Sequence, residues 1–135
     1  MKIITWTDEY SVGVSDLDNQ HKKIIALINE LNECREISSH SEKLHNILGR
    51  IIIYAQNHLD YEEKLLKENG YPDFENHLRK HQDYKQKVSD FAVDILEFRE
   101  DMPEKLLDYL NQWWMHHILK EDMQYKAFFE EKGIT

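Results

Sequence analysis

The stretch Leu44–Leu65, LHNILGRIIIYAQNHLDYEEKL, decides the fold. Its line Leu44, Leu48, Ile51, Ala55, His58, Glu62 and Leu65 advances by alternating steps of four and three, the period that returns side chains to one face of an α-helix. That face is apolar except at His58 and Glu62, so two polar residues stand where core residues belong. The run ends at Asn69-Gly70-Tyr71-Pro72, a strong helix breaker.

The same stepping recurs on both sides. Upstream, Leu17, His21, Ile24, Ile28 and Leu31 form an inward line behind Ser15 and Asp16, which are placed to cap a helix. Downstream, Phe74, His77, His81, Tyr84, Val88, Phe91, Ile95 and Phe98 give a third line, again with two histidines in it. A fourth begins near Pro103, a residue suited to a first turn, and runs through Leu106, Leu110, Trp113 and His117. There the line slips: Tyr125 and Phe129 fall in register with Asp122 and not with Glu121, so the seam jumps five residues after His117. A local π-type turn would absorb the jump.

Helices are therefore expected over about 16–36, 41–69, 74–98 and 103–131, behind an extended arm over 1–14 that packs by Trp6, Tyr10, Val12 and Val14. Short connections favour antiparallel neighbours, which makes the predicted fold an all-α, up-down-up-down four-helix bundle occupying residues 1–135 as one domain.

Composition agrees and narrows the function. The 135 residues include four Gly and two Pro, too few for the frequent tight turns of an all-β fold. A formal charge of −9 at pH 7 would repel nucleic acid and anionic lipid, so neither is expected as a partner. No run approaches the roughly 18 apolar residues of a membrane span, and Met1–Thr5 lacks the apolar core of a signal peptide, so a cytoplasmic location is expected. The one cysteine, Cys34, has no partner for an intramolecular disulfide and is expected to serve only as a small packing residue. A chain of this length buries a core without a second copy, and a monomer is expected.

Seven residues break the apolar seams: His21, His58, Glu62, His77, His81, His117 and Asp122. A buried unpaired carboxylate costs several kcal/mol, so two of them among five imidazoles need a common partner, which a metal supplies. His58 with Glu62, and His77 with His81, stand four apart on one helix face and can each aim two ligands at one point. His117 and Asp122 are harder, since five steps on a regular helix separate them by about 140°. Regular geometry would favour Glu121; the slipped seam favours Asp122. Seven ligands exceed what one zinc takes and suit two metals, most economically two irons. The signature of carboxylate-rich oxidases, a Glu-x-x-His pair on each of two helices, is absent, and an imidazole-rich shell suits binding. His40 and His45 are expected at the surface, His116 points about 100° away from His117, and Trp114 and Phe128-Phe129 are expected to be packing residues.

With these residues in place the sequence resembles the hemerythrin family in its single-domain bacterial form. The resemblance rests on Trp6, Ser11-Val12-Gly13-Val14, Asp18-Asn19-Gln20-His21, His58-x-x-x-Glu62, Gly70-Tyr71-Pro72, His77-x-x-x-His81 and His117-x-x-x-x-Asp122, in that order. It implies that His77, His81 and His117 hold one iron and His21 and His58 the other, with Glu62, Asp122 and an oxo or hydroxo group as bridges. It also decides for Asp122 over Glu121. The implied irons are Fe2+ without O2 and Fe3+ in the oxygenated and oxidised forms. Two electrons and a proton then move to O2 inside the site, so its net charge is unchanged, which suits a low-dielectric interior. Ile24, Trp113 and Ile118 are expected to wall the O2 pocket.

The function this implies is reversible O2 binding for transport, storage or local supply to an oxygen-consuming enzyme, without catalysis. Two other classes stand beside it: an O2, redox or iron sensor acting through a partner protein, and a di-iron oxidase or peroxidase.

Overall fold

A computed structural model describes residues 3–33, 42–96 and 102–135. Cys34, His40 and Phe98 lie outside these residues, as do the side chains of Ile95 and Pro103. The main helices are α1 (Ser15–Glu33), α2 (Glu42–Glu68), α3 (Phe74–Leu96) and α4 (Met102–His116). The last continues through a π turn, His117–Glu121, and a 3-10 turn, Asp122–Tyr125, into α5 (Lys126–Lys132).

Each helix packs on the next and α4 closes back on α1. Cross-helix pairs show the directions. Along α1 and α2, Asp16 meets Tyr61, Gln20 meets His58 and Glu30 meets Arg50, so one number rises as the other falls. His77 against Glu62 and Lys85 against Asp60 do the same for α2 and α3, and Phe91–Tyr109 and Tyr84–Trp114 for α3 and α4. The result is an antiparallel four-helix bundle. No helix among the described residues is long and apolar enough to cross a membrane.

The arm is tied down at both ends. Ile4 N donates to Asn29 Oδ1 and Asn29 Nδ2 donates to Ile4 O, at 2.9 and 2.8 Å, while Trp6 and Tyr10 pack on the core. It is less extended than its sequence suggests, because Asp8–Tyr10 forms a 3-10 turn. Ser15 and Asp16 are the first two residues of α1. From inside the helix Asp18 ties down the turn that leads into it, accepting from Val12 N at 2.8 Å and from Ser11 Oγ at 2.6 Å. At the far end of α2, Gly70 adopts φ 72°, which lets Tyr71 N reach back to Leu66 O at 3.0 Å and turn the chain toward α3.

Two inward lines differ from the expected ones by one position. In α2 the residue after Glu62 on the buried face is Leu66, fully buried, whereas Leu65 is half-buried. In α4 it is Trp114 that is fully buried, whereas Trp113 is half-buried. Steps of three and four both stay on a broad apolar stripe, and in α4 a buried partner for the indole settles the matter: Trp114 Nε1 donates to Tyr84 OH at 3.0 Å.

The core falls into two apolar clusters. The larger holds Ile24, Ile28, Leu44, Ile51, Ala55, Leu59, Tyr84, Leu110, Trp114 and Ile118 among others. The smaller gathers Val12, Val14, Leu17, Leu66, Tyr71, Tyr125 and Phe129. On every helix the polar residues lie between members of the two, as His21 does between Leu17 and Ile24. A layer of imidazoles and carboxylates is thus sealed from both ends.

Candidate metal centre

His21 comes from α1, His58 and Glu62 from α2, His77 and His81 from α3, His117 from the π turn and Asp122 from the 3-10 turn. All seven are at most 3% exposed and converge on one place. The π turn is what admits Asp122: its backbone N–H donates to His117 O, five residues back, so the helix takes up the extra residue and rotates Asp122 inward. Glu121 is left at the rim, 2.9 Å from Lys80 Nζ and 3.6 Å from His116 Nε2, and His116 itself is exposed. His45 is half-buried in α2, outside the converging group.

Each carboxylate divides its two oxygens between two sets of imidazoles. Glu62 Oε1 faces His77, His81 and His117 at 2.5, 3.2 and 3.8 Å, while Oε2 faces His58 and His21 at 3.4 and 3.8 Å. Asp122 Oδ1 faces His117 and His77 at 3.0 and 3.3 Å, and Oδ2 faces His21 at 3.1 Å. Two groups of donor atoms close enough to hold one cation each result, His77-His81-His117 and His21-His58, with Glu62 common to both.

Beyond the close approaches of His77 Nε2 to Glu62 Oε1 and of His81 Nε2 to His117 Nε2, several inward-facing donor atoms find no hydrogen bond. His21 Nε2, His58 Nε2 and both oxygens of Asp122 are buried without a hydrogen-bond partner among the described residues, although they lie within ion-pair reach. Tautomers explain part of this. His58 Nδ1 lies 2.6 Å from Gln20 Oε1, and an amide oxygen only accepts, so the proton sits on Nδ1 and the Nε2 lone pair points inward. Buried lone pairs without donors are costly, and converging ones fit a metal ion.

Electrostatics carry the same mark. Burial opposes a charge on His21, yet Asp122 and Glu62 outweigh it and raise its pKa to about 9; the same balance lifts His77 to about 10. Burial, with a charged His21 beside it, keeps His58 neutral against the pull of Glu62. Burial likewise works against ionised Glu62, but His117, His21, His58 and His77 hold it well below the usual carboxylate range, and Asp122 is depressed too, its burial and the Glu62 charge being outweighed by His117 and His21. Protons on His21 and His77 therefore neutralise the carboxylates wherever metal cations do not. The residues fit a pair of metals.

An outer shell holds these residues, and reading the seams alone did not reveal it. Gln20 backs His58, and Glu63 Oε2 lies 3.3 Å from His81 Nδ1. Tyr125 donates to Glu62 Oε2 at 3.0 Å; burial and the charges of Asp122 and Glu62 keep it a neutral phenol. The proposed wall residues separate: Ile24 and Ile118 are buried in the larger cluster, but Trp113 stacks on His117, with ring centres 4.3 Å apart and planes 12° apart. It is Trp114 that lies against His58, at 5.9 Å. The signal available in the sequence was adjacency, since Gln20 and Glu63 neighbour His21 and Glu62.

The family model described as the hemerythrin HHE cation binding domain matches residues 12–129, which include all seven residues. The chain belongs to the hemerythrin family. The bacteriohemerythrin of Stenotrophomonas maltophilia (strain R551-3) is 27% identical over 125 residues, covering 93% of this chain and 80% of that protein. The bacteriohemerythrin of Clostridium acetobutylicum is 28% identical over 127 residues, covering 91% of this chain and 98% of that one. A crystal structure of wild-type hemerythrin superposes with a TM-score of 0.85 at 25% identity, over 93% of this chain and 97% of its own. The family is one of binding modules, its model being described as a cation binding domain.

Proposed function

We propose that the chain binds O2 reversibly at two irons held by His77, His81 and His117 on one side and His21 and His58 on the other, bridged by Glu62 and Asp122. The observation that carries this is the division of both carboxylates, one oxygen of each toward each set of imidazoles. A single metal would leave one oxygen of each carboxylate, and two imidazoles, buried without a partner. Bound there, a pair of irons would supply the two electrons that reversible O2 capture requires, with a solvent-derived oxo or hydroxo group completing their ligands.

Features of the chain's own residues support binding without turnover. The side with two imidazoles has one protein ligand fewer, so the open position for O2 belongs there. Around it the larger apolar cluster, with Ile24, Ile118 and Trp114, keeps out the water and protons that would release reduced oxygen and leave oxidised irons behind. Tyr125 and Gln20 hold Glu62 and His58 in place while the charge around them shifts. Transport, storage and local supply to an oxygen-consuming enzyme all use the same site.

The test is metal analysis with visible spectra of the reduced protein under argon and then under air. Two irons per chain and a colour that forms with O2 and fades under argon over many cycles are expected. Steady consumption of a reductant under air would overturn the reading in favour of an oxidase or peroxidase. Ile118→Thr should hasten loss of the coloured form while leaving iron content unchanged.

A further inference from the structure

The two sets of imidazoles are backed by different chemistry. Behind His81 stands the Glu63 carboxylate: its Oε2 and the His81 Nδ1 are both buried, neither has a hydrogen-bond partner among the described residues, and they face each other within ion-pair reach at 3.3 Å. Glu63 Oε2 is itself 3.6 Å from Lys85 Nζ, which in turn lies 3.1 Å from Asp60, so a short chain of charges fixes the carboxylate where it is. Behind His58 stands only the neutral amide of Gln20, and His21 Nδ1 has no hydrogen-bond partner among the described residues.

A cation on Nε2 leaves the imidazole proton on Nδ1. A carboxylate accepting that proton pushes electron density toward the metal and makes the ring a stronger donor; an amide oxygen does so much less. Glu62 and Asp122 are shared and favour neither position. The difference in outer partners therefore adds to the difference of three imidazoles against two.

We propose that Glu63, which ligates nothing, is a positioning residue that makes the metal pair unequal, so that the His77-His81-His117 position fills first and releases its metal last. This rests on the two-metal reading above. It assigns the order of assembly: the first metal settles on α3 and the π turn, neutralises Glu62 and Asp122 in part, and leaves the His21-His58 position to be completed second and exchanged more readily.

Cobalt(II) added to the metal-free chain under argon reports each position by its visible bands without any O2 chemistry. Two well-separated binding steps are expected in the unaltered chain. Glu63→Gln, which keeps the shape and removes the charge, should weaken the first step by about 10-fold to 100-fold, the range for outer partners of metal-bound histidines, and leave the second step nearly unchanged. Gln20→Glu should strengthen the second step, so the double exchange narrows the gap from both ends. Glu63→Asp should restore part of the loss, which a purely structural role for the side chain would not produce. Two cobalt ions that bind in steps unmoved by Glu63→Gln and Gln20→Glu would overturn the proposal and leave the two-metal reading standing. Fewer than two cobalt ions per unaltered chain would overturn both.

Discussion

The two sides of the buried layer are built from the same materials and end up doing different work. On one side, three imidazoles crowd around Glu62 Oε1, and His81 and His117 bring their Nε2 atoms within 3.1 Å of each other. On the other, His21 and His58 face Glu62 Oε2 at 3.8 and 3.4 Å, and both Nε2 atoms lack hydrogen-bond partners among the described residues. The first side has three imidazoles, with half-buried Trp113 stacked on His117; the second has two, with buried Trp114 against His58. On the proposed reading, sharing two carboxylates couples the sides, and the imidazole fewer on the second leaves its place for O2 there.

The coupling breaks most completely at Glu62. Glu62→Ala removes an oxygen from each side at once, and no more than one metal per chain should remain, with no O2-dependent colour; two bound metals in this variant would mean that Asp122 suffices as the bridge. Single imidazole losses should then separate the sides. His58→Ala is expected to retain one tightly held metal, because the complete side is untouched. His81→Ala should weaken the tighter binding step by more than about 100-fold, beyond what the loss of an outer partner costs. Metal analysis after dialysis distinguishes the two, and equal loss in both variants would show that neither side can be occupied alone.

How much of this could be read beforehand depends on what kind of signal each part leaves. The four helices were legible because steps of three and four persist for many turns, and polar residues interrupting such a seam are costly enough to require a reason. The slipped seam after His117 announced the π turn, since Tyr125 and Phe129 had to stay inside. Trp113 and Trp114 could not be separated, because both lie on the stripe and the deciding fact is a hydroxyl on another helix, that of Tyr84. Gln20 and Glu63 look like ordinary polar residues beside a ligand, and only the distance to a ring nitrogen distinguishes them. Asp18 is a similar case: it holds the turn ahead of α1 from inside the helix, and only its distances to Val12 N and Ser11 Oγ mark it.

Acidity offers a milder way to compare the sides. His21 belongs to one and His77 to the other, and in the metal-free chain their pKa values stand at about 9 and about 10, above the ordinary 6.5. A group held above its unfolded value stabilises the fold fully below that unfolded value, and the contribution disappears as pH rises through the folded one. Metal-free protein should therefore lose thermal stability between roughly pH 7 and pH 10 as both sides surrender their protons. Loaded protein should hold steady over the same interval, because cations replace those protons, and loading near neutral pH should release protons to solvent. Melting curves against pH for the two forms check this; parallel curves would show that the imidazoles carry no protons in the absence of metal.

The smallest expected effects concern the aromatic walls. Trp114 Nε1 donates to Tyr84 OH at 3.0 Å, and its ring lies against His58, on the side short of a ligand. Trp114→Phe removes that bond, worth about 1 kcal/mol net, and opens space where the second ring was. A modest fall in melting temperature and a several-fold faster loss of the oxygenated colour should follow. Trp113→Phe keeps a ring over His117 on the side that is already complete, so stability should change by no more than about 0.5 kcal/mol and the colour should persist as before. If the two variants lose colour at the same raised rate, the O2 position is walled by both indoles, and the contrast between a closed side and an open one does not extend beyond the ligands themselves.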